Sequence, residues 1–312
     1  MTKYEKHGAL HVNAKGKLVD HLGETVVLHG YSSHDLSWYP QYINRDTFEF
    51  MSENWHIDLV RLAMYTAEED GYCVSDEENK NKLLDLIDKG VRAATELGLY
   101  VIIDWHILKD SDPLMHLDEA VKFWDYISAK YASYGNIFYE ICNEPNVEAD
   151  WGKIRTYAEK IIPIIRKNDA YAVILVGTPT WSQDVDMPMA DPLTIDKNLM
   201  YVLHFYADTH RDELRDKMEK AAMAGLPLFI TEFGICNAAG GGENNYEQGD
   251  IWLKLADKYD ISYAMWALSN RDETCASFVP DCLKLSDFDE NDLRDCAKWY
   301  INVLKEHYLP VG

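Results

Sequence analysis

A chain of 312 residues is long for one globular core, but an α/β barrel fills this size as a single domain. Apolar residues make up 47%, enough for a packed core and against disorder. With 30 basic and 53 acidic residues the net charge is −23, which argues against nucleic acid and anionic membrane as partners, because both need a positive surface. No apolar run reaches the roughly 20 residues of a membrane span. The segment Met1–His7 lacks the apolar core of a signal peptide, so either the protein stays inside the cell or a leader was removed. Six cysteines are scattered without paired metal-ligand spacing. Cys142 reads as a small buried residue, and Cys275 and Cys282 could bridge a loop, which the sequence leaves open.

In chain order, Leu10–Asn13 and Thr25–Leu28 flank Gly-containing turns and read as an opening hairpin. Strand-like runs follow at Val26–Gly30, Leu59–Tyr65, Tyr100–Trp105, Ile137–Cys142, Ala172–Val176, Met200–Phe205, Leu228–Thr231 and Tyr263–Ala267, which makes eight. Between them lie apolar stripes at helical spacing: Leu83, Leu84, Ile87, Val91, Ala94 and Leu97; then Val121, Phe123, Trp124, Ile127 and Tyr131; then Tyr157, Ile161, Ile164 and Ile165. Gly98 and Gly225 are placed to end helices. Eight strands alternating with helices predict a (β/α)8 TIM barrel with a short N-terminal hairpin and a barrel core over about residues 26–308. A doubly wound open sheet is the alternative, weakened because no glycine-rich phosphate loop follows the first strand. No Pro/Ser/Thr-rich linker interrupts the chain, so residues 1–312 read as one domain without a separate binding module.

Chemistry in a barrel gathers at the C-terminal ends of its strands. Glu144 closes the run Ile137–Asn143 just before Pro145, and Glu232 closes Leu228–Thr231 before Phe233-Gly234. Acids ending two buried strands are hard to explain by packing. Two facing carboxylates are what glycosidic cleavage requires: one protonates the leaving oxygen, the other attacks the sugar or activates water. The other strand ends deliver Arg61 and Tyr65, His106, Asn143, His204 and Tyr206, and Trp266; adjoining loops add His34, Trp38 and Trp181. Taken singly, each of these is ordinary: Arg61 an ion-pair partner, His106 and His204 bonded core histidines, Trp38 and Trp181 partial core. Glu140 is read as such an ordinary residue, on the strand of Glu144 but facing differently. Together, on one rim, they point to a site. A metal centre is the competing use of His106, His204 and Glu232, but no His-x-x-x-His or Cys-x-x-Cys spacing supports it, and the aromatic and amide company suits a sugar. The expectation is therefore no catalytic metal and no cofactor. A sugar-binding barrel without turnover would need a missing carboxylate, and neither is missing.

With these residues the chain resembles the family 5 glycoside hydrolases, most closely the bacterial-type endo-β-1,4-glucanases. The similarity runs from Val26–His34 to the eighth strand. It is carried by Val60-Arg61-Leu62-Ala63-Met64-Tyr65, Ile102-Ile103-Asp104-Trp105-His106, Tyr139–Asn146, Val202-Leu203-His204-Phe205-Tyr206, Thr231-Glu232-Phe233-Gly234, Trp181–Val185 and Trp266–Ser269. The resemblance implies a retaining enzyme that acts as a monomer on β-1,4-glucan and is secreted, although no signal peptide is present in this sequence. β-Mannan, xylan and mixed-linkage glucan remain alternative substrates of the same reaction. It further implies Glu144 as acid/base, Glu232 as nucleophile, and Arg61 and Tyr206 as the groups that hold Glu232 ionised. Asn143 would bond the sugar 2-hydroxyl, His204 would sit beside the acid/base, and His106 and Trp266 would hold the reacting sugar. His34, Trp38, Tyr65 and Trp181 are implied as subsite residues. Arg271 and Glu273 stand where related enzymes often place a Lys and a Glu that grip a glucose.

Overall fold

The computed structural model describes residues 1–308, the side chain of Tyr308 excepted. The chain opens with α1 (Lys3–His7) and a small antiparallel pair, β1 (His11–Val12) with β2 (Leu18–Val19). Eight strands follow: β3 (His29–Ser33), β4 (Leu59–Tyr65), β5 (Tyr100–His106), β6 (Ile137–Glu140), β7 (Val173–Val176), β8 (Leu199–Tyr206), β9 (Leu228–Gly234) and β10 (Tyr263–Leu268). All pair parallel and close into a barrel, β10 bonding to β3. The helices are α2 (Arg45–Trp55), α3 (Glu77–Glu96), α4 (Leu117–Tyr131), α5 (Trp151–Asn168), α6 (Pro179–Ser182), α7 (Asp186–Ala190), α8 (Asp212–Met223), α9 (Tyr246–Lys258) and α10 (Asp295–Tyr308). The barrel expected from the alternation is thus the fold.

Two expectations need correction. The N-terminal pair is His11–Val12 with Leu18–Val19, and Thr25 contributes only an isolated bridge to Val19. The first barrel strand runs His29–Ser33 rather than Val26–Gly30. The reason lies in the barrel floor: Val26 and Leu28 pack with Leu10 and Leu18 against Tyr100, Phe138, Val202 and Phe229, so this apolar run seals the bottom before the chain enters the sheet. Tyr4 meets Tyr100 edge-on at 5.5 Å, and the Tyr100 hydroxyl donates to the Gly8 carbonyl at 2.8 Å.

The helices bury the faces their periodicity marks. On α3, Leu83, Ile87, Val91 and Ala94 are buried, and Asp76 caps the start by accepting from Asn79 N. On α5 the buried stripe includes Ile162 rather than Ile164. Gly98 follows α3 with φ +66°, and a Cβ there would stand 2.2 Å from the Thr2 hydroxyl, so glycine is required twice over. An apolar layer fills the barrel floor, while the upper interior carries Arg61, Asp104, Glu140, His204 and Glu232. The charged cluster of the interior therefore lies at the C-terminal end of the barrel.

Candidate active site

Arg61 on β4 is fully buried and sits at the centre of this polar layer. Its Nε and Nη2 form a fork on Glu140, at 2.8 and 3.1 Å. Nη1 donates to Glu232 Oε2 at 3.1 Å, and Nη2 also meets Asp104 at 2.9 Å and Asn143 Oδ1 at 2.6 Å. One guanidinium thus serves three carboxylates. Burial opposes its charge, but Asp104, Glu140 and Glu232 together hold its pKa above the ordinary arginine value. Breaking such a buried pair costs about 3–5 kcal/mol, because a charge is left without a partner. Glu140 is therefore not an incidental strand residue: it faces the same interior as Glu144 and anchors Arg61.

The two rim carboxylates differ in company. Glu232 accepts from Arg61 and, through Oε1, from the Tyr206 hydroxyl at 2.7 Å. Burial raises its pKa, while Arg61, His106 and Tyr206 act in the opposite direction. Burial also raises Glu144, and there the charge of Glu232 adds to the effect, so Glu144 is pushed well above the usual carboxylate range. The upward push is thus stronger on Glu144, while Glu232 has the partners that favour its charge.

The hydrogen-bond chain under Glu144 demands the same proton. Thr231 donates its hydroxyl to Glu140 Oε1 at 2.8 Å, so its oxygen must accept from His204 Nε2, also at 2.8 Å. Burial first, then Arg61 and His106, keep His204 neutral. With its proton on Nε2, the imidazole offers only a lone pair at Nδ1. Glu144 Oε1 lies 2.9 Å from that lone pair and must donate to it. The chain Arg61–Glu140–Thr231–His204 thus fixes a protonated Glu144. The nearest polar atoms of Glu144, His204 and Glu232 all lie within 4.8 Å of one another.

Around the carboxylates opens a cavity of about 520 Å³. Of the residues expected at the site, His34, Tyr65, His106, Glu144, Trp181, His204, Tyr206, Glu232, Trp266, Arg271 and Glu273 line it. Arg61 and Asn143 lie behind the wall. Asn143 accepts from Arg61 and donates one N–H to the Ile107 carbonyl at 3.1 Å. His106 is held by Asp104, 2.6 Å from its Nδ1, and stacks on Trp266 with centroids 5.4 Å apart. Trp38 lies just outside, stacked on Tyr65 at 5.4 Å and fixed by its indole N–H to the Glu69 carbonyl at 3.0 Å. Arg271 pairs with Glu273 at 3.1 Å, and Glu273 faces His34 at 3.5 Å. Trp181 is 39% exposed and rides on a turn in which Thr180, Trp181 and Ser182 all have positive φ. That turn is tied to the segment after β6 that carries Glu144: Trp181 N donates to the Pro145 carbonyl at 3.0 Å, and the Ser182 hydroxyl to that of Asn143 at 2.6 Å.

Sequence reading missed Asp104, Glu140 and Thr231 as members of the network, and Gln183 and His210 as lining residues. His210 Nδ1 accepts from Tyr206 N at 2.8 Å and so braces the backbone behind that phenol. The signal for the first three was present: charged or hydroxyl residues inside strands that are otherwise apolar. All six cysteines are free, so the bridge considered between Cys275 and Cys282 is not formed.

An eight-stranded parallel barrel whose C-terminal rim pairs two carboxyl groups in unlike surroundings belongs to the class of α/β barrels suited to acid–base chemistry. The cellulase model of glycosyl hydrolase family 5 matches residues 19–272, and the chain belongs to that family. Endoglucanase A of Butyrivibrio fibrisolvens is 44% identical over 97% of this chain and 70% of its own length. Endoglucanase 5 of Pectobacterium carotovorum subsp. carotovorum is 39% identical over 96% of this chain and 58% of its own length. The chain therefore spans between about half and seven tenths of the length of such curated relatives. Among solved structures, the catalytic domain of Thermobifida fusca endoglucanase Cel5A superposes with a TM-score of 0.92 at 34% identity, covering 98% of this chain and all of that one. A variant of that domain was solved with cellotetraose, and superposes with a TM-score of 0.91 at 33% identity over 98% of this chain and all of that one.

Proposed function

We propose that this chain is the catalytic domain of an endo-β-1,4-glucanase that cleaves internal bonds of cellulose and soluble β-glucans by double displacement with retention. The carrying observation is the carboxylate pair: Glu144 and Glu232 stand with nearest oxygens within 4.8 Å, Glu232 accepting from Arg61 and Tyr206 and Glu144 facing the lone pair of His204. That spacing suits direct attack, which uses carboxyl groups about 5–5.5 Å apart, rather than the ~6.5–9.5 Å that admits an intervening water.

Glu232 attacks the anomeric carbon, kept ionised by Arg61 and Tyr206. Glu144 gives its proton to the departing glucosyl oxygen. Once that proton has left, Glu144 is a carboxylate that takes a proton from the incoming water, and Glu232 departs. Asn143 Nδ2 retains one N–H beyond its bond to Ile107, suited to the sugar 2-hydroxyl. His106 and Trp266 hold the reacting ring, Trp181 the leaving-group side, and His34, Trp38, Tyr65, Arg271 and Glu273 the other side. Flat aromatic faces match the axial C–H faces of glucose and need no charge on the polymer. The site is completed by one chain, consistent with a monomer, and a polymeric substrate calls for action outside the cell. Among the described residues no helix is long and apolar enough to cross a membrane.

Hydrolysis of a panel of soluble β-glucan, β-mannan, xylan and mixed-linkage glucan, with products separated by size, tests this reading. Viscosity of the β-1,4-glucan should fall faster than reducing ends appear. Release of only glucose or cellobiose from chain ends would refute endo-action, and preference for mannan or xylan would refute the substrate.

A further inference from the structure

On the opposite end of the barrel, His29 opens β3 and pairs with Tyr263, which opens β10. Its imidazole is 95% buried, being 5% exposed, yet neither ring nitrogen has a hydrogen-bond partner. Polar groups buried this deeply are nearly always bonded, so the orphan needs a reason. The ring is sandwiched between Tyr263 and His307, each with its centroid 4.4 Å away. Asp257, in the last turn of α9, faces both histidines: Oδ1 is 4.0 Å from His29 Nε2, and Oδ2 is 3.6 Å from His307 Nε2. Both gaps are too long for hydrogen bonds. They are close to the separation of two atoms that share one ion: bonds of about 2.0–2.2 Å meeting at a tetrahedral angle set their ends roughly 3.3–3.6 Å apart. One ligand atom from each of the three residues lies within 4.8 Å of the others.

We propose that His29, Asp257 and His307 form a binding site for a divalent transition-metal ion of the zinc type, independent of catalysis. Two imidazoles and one carboxylate suit such ions, whereas magnesium and calcium prefer oxygen shells. Tyr263 cannot satisfy the cluster alone, because its single proton faces Asp257 Oδ1 at 3.2 Å and His307 Nε2 at 3.0 Å. The His307 side chain is partly exposed, so its ring can turn onto an ion without repacking the core. The ion would pin α10 and α9 to the strand that closes the barrel, on the face away from Glu144 and Glu232.

The test is zinc binding by equilibrium dialysis, with thermal unfolding, on chelator-treated enzyme. The wild type should bind zinc, and its Tm should rise with zinc but not with magnesium. His307→Ala and Asp257→Asn should each weaken this binding by more than about tenfold, since even the outer-shell partners of metal ligands are worth about 10–100-fold. Both variants change solvent-accessible residues and should keep the metal-free hydrolysis rate. Equal zinc affinity in wild type and both variants would place any ion elsewhere and overturn the proposal, as would no zinc binding or an equal response to magnesium.

Discussion

Replacing Thr231 with Val tests the proton assignment of the site directly. The change is nearly isosteric and removes a single hydroxyl that donates to Glu140 and accepts from His204. Glu140 keeps its fork on Arg61, so the orphaned partner is His204 Nε2. Leaving that N–H unsatisfied costs about 1–3 kcal/mol, a Tm loss of roughly 2–6 °C in a chain of this size. The imidazole has a way out. Its proton can move to Nδ1 and be donated to Glu144 as a carboxylate. A bond to a charged acceptor is worth about 1.5–3 kcal/mol, and 1.36 kcal/mol corresponds to one pKa unit. The pKa of Glu144 should then fall by about 1–2 units. Glu144 must be protonated to act as the acid, so activity disappears as pH rises through that pKa. The alkaline limb of kcat/KM on an unactivated cello-oligosaccharide should move to lower pH by the same amount. Thr231→Ser should keep the wild-type limb. A folded Thr231→Val enzyme whose alkaline limb stays in place, or moves up, would show that the Thr231–His204 chain does not set the proton on Glu144.

Glu232→Ala should abolish turnover, and azide should restore it as the inverted glycosyl azide; Glu144→Ala should spare activated aryl glycosides, and azide rescue should there give the retained product. Swapped stereochemistry, read by NMR of the products, would reverse the two roles. Trp181→Ala should raise KM for long oligosaccharides and weaken their turnover by about 1–2 kcal/mol, a fraction of the ~1.5–3 kcal/mol of a fully covered large side chain because Trp181 is already 39% exposed. Unchanged kinetics with a much lower Tm would make it a core residue instead.

Much of this site could be read before any coordinates. Glu144, Glu232, Arg61, His204 and Tyr206 stand out because each interrupts or ends an apolar run, and the strand alternation places those ends on one rim. Thr231, Asp104 and Glu140 were harder. A buried polar residue in a strand says that a partner exists but not which one, and the partners here lie on other strands: Asp104 beside Glu140 in register, His204 beside Glu232. Gln183 and His210 reach the cavity by the paths of loops, for which periodicity gives no rule. The two-residue strands His11–Val12 and Leu18–Val19 are too short to carry an alternating signal, so the longer Thr25–Leu28 run reads as the pairing segment although Val26 and Leu28 serve as floor packing.

If Glu144 is the acid/base and Glu232 the nucleophile, as proposed, the network also explains how one carboxyl group can act as acid and then as base. In the free enzyme burial comes first in holding the proton on Glu144 and the negative charge of Glu232 second, and the charges of Asp104 and Glu140 and the lone pair of His204 add to them. Of these, the charge of Glu232 is the one that changes through the reaction. When Glu232 is esterified by the sugar, its negative charge is gone, and Arg61 is left with Asp104 and Glu140 as its carboxylate partners. The second reason for Glu144 to stay protonated has been removed, and the positive potential of Arg61, which lowers the pKa of Glu144, is less neutralised. Glu144 should therefore accept its ionised state just when a base is needed to activate water. Hydrolysis of the ester restores the charge on Glu232, and with it the preference of Glu144 for a proton. In this arrangement the role change needs no movement of either side chain. It follows from placing the two carboxylates close enough to sense each other's charge while bonding them to different partners, Tyr206 and Arg61 on one side and the lone pair of His204 on the other.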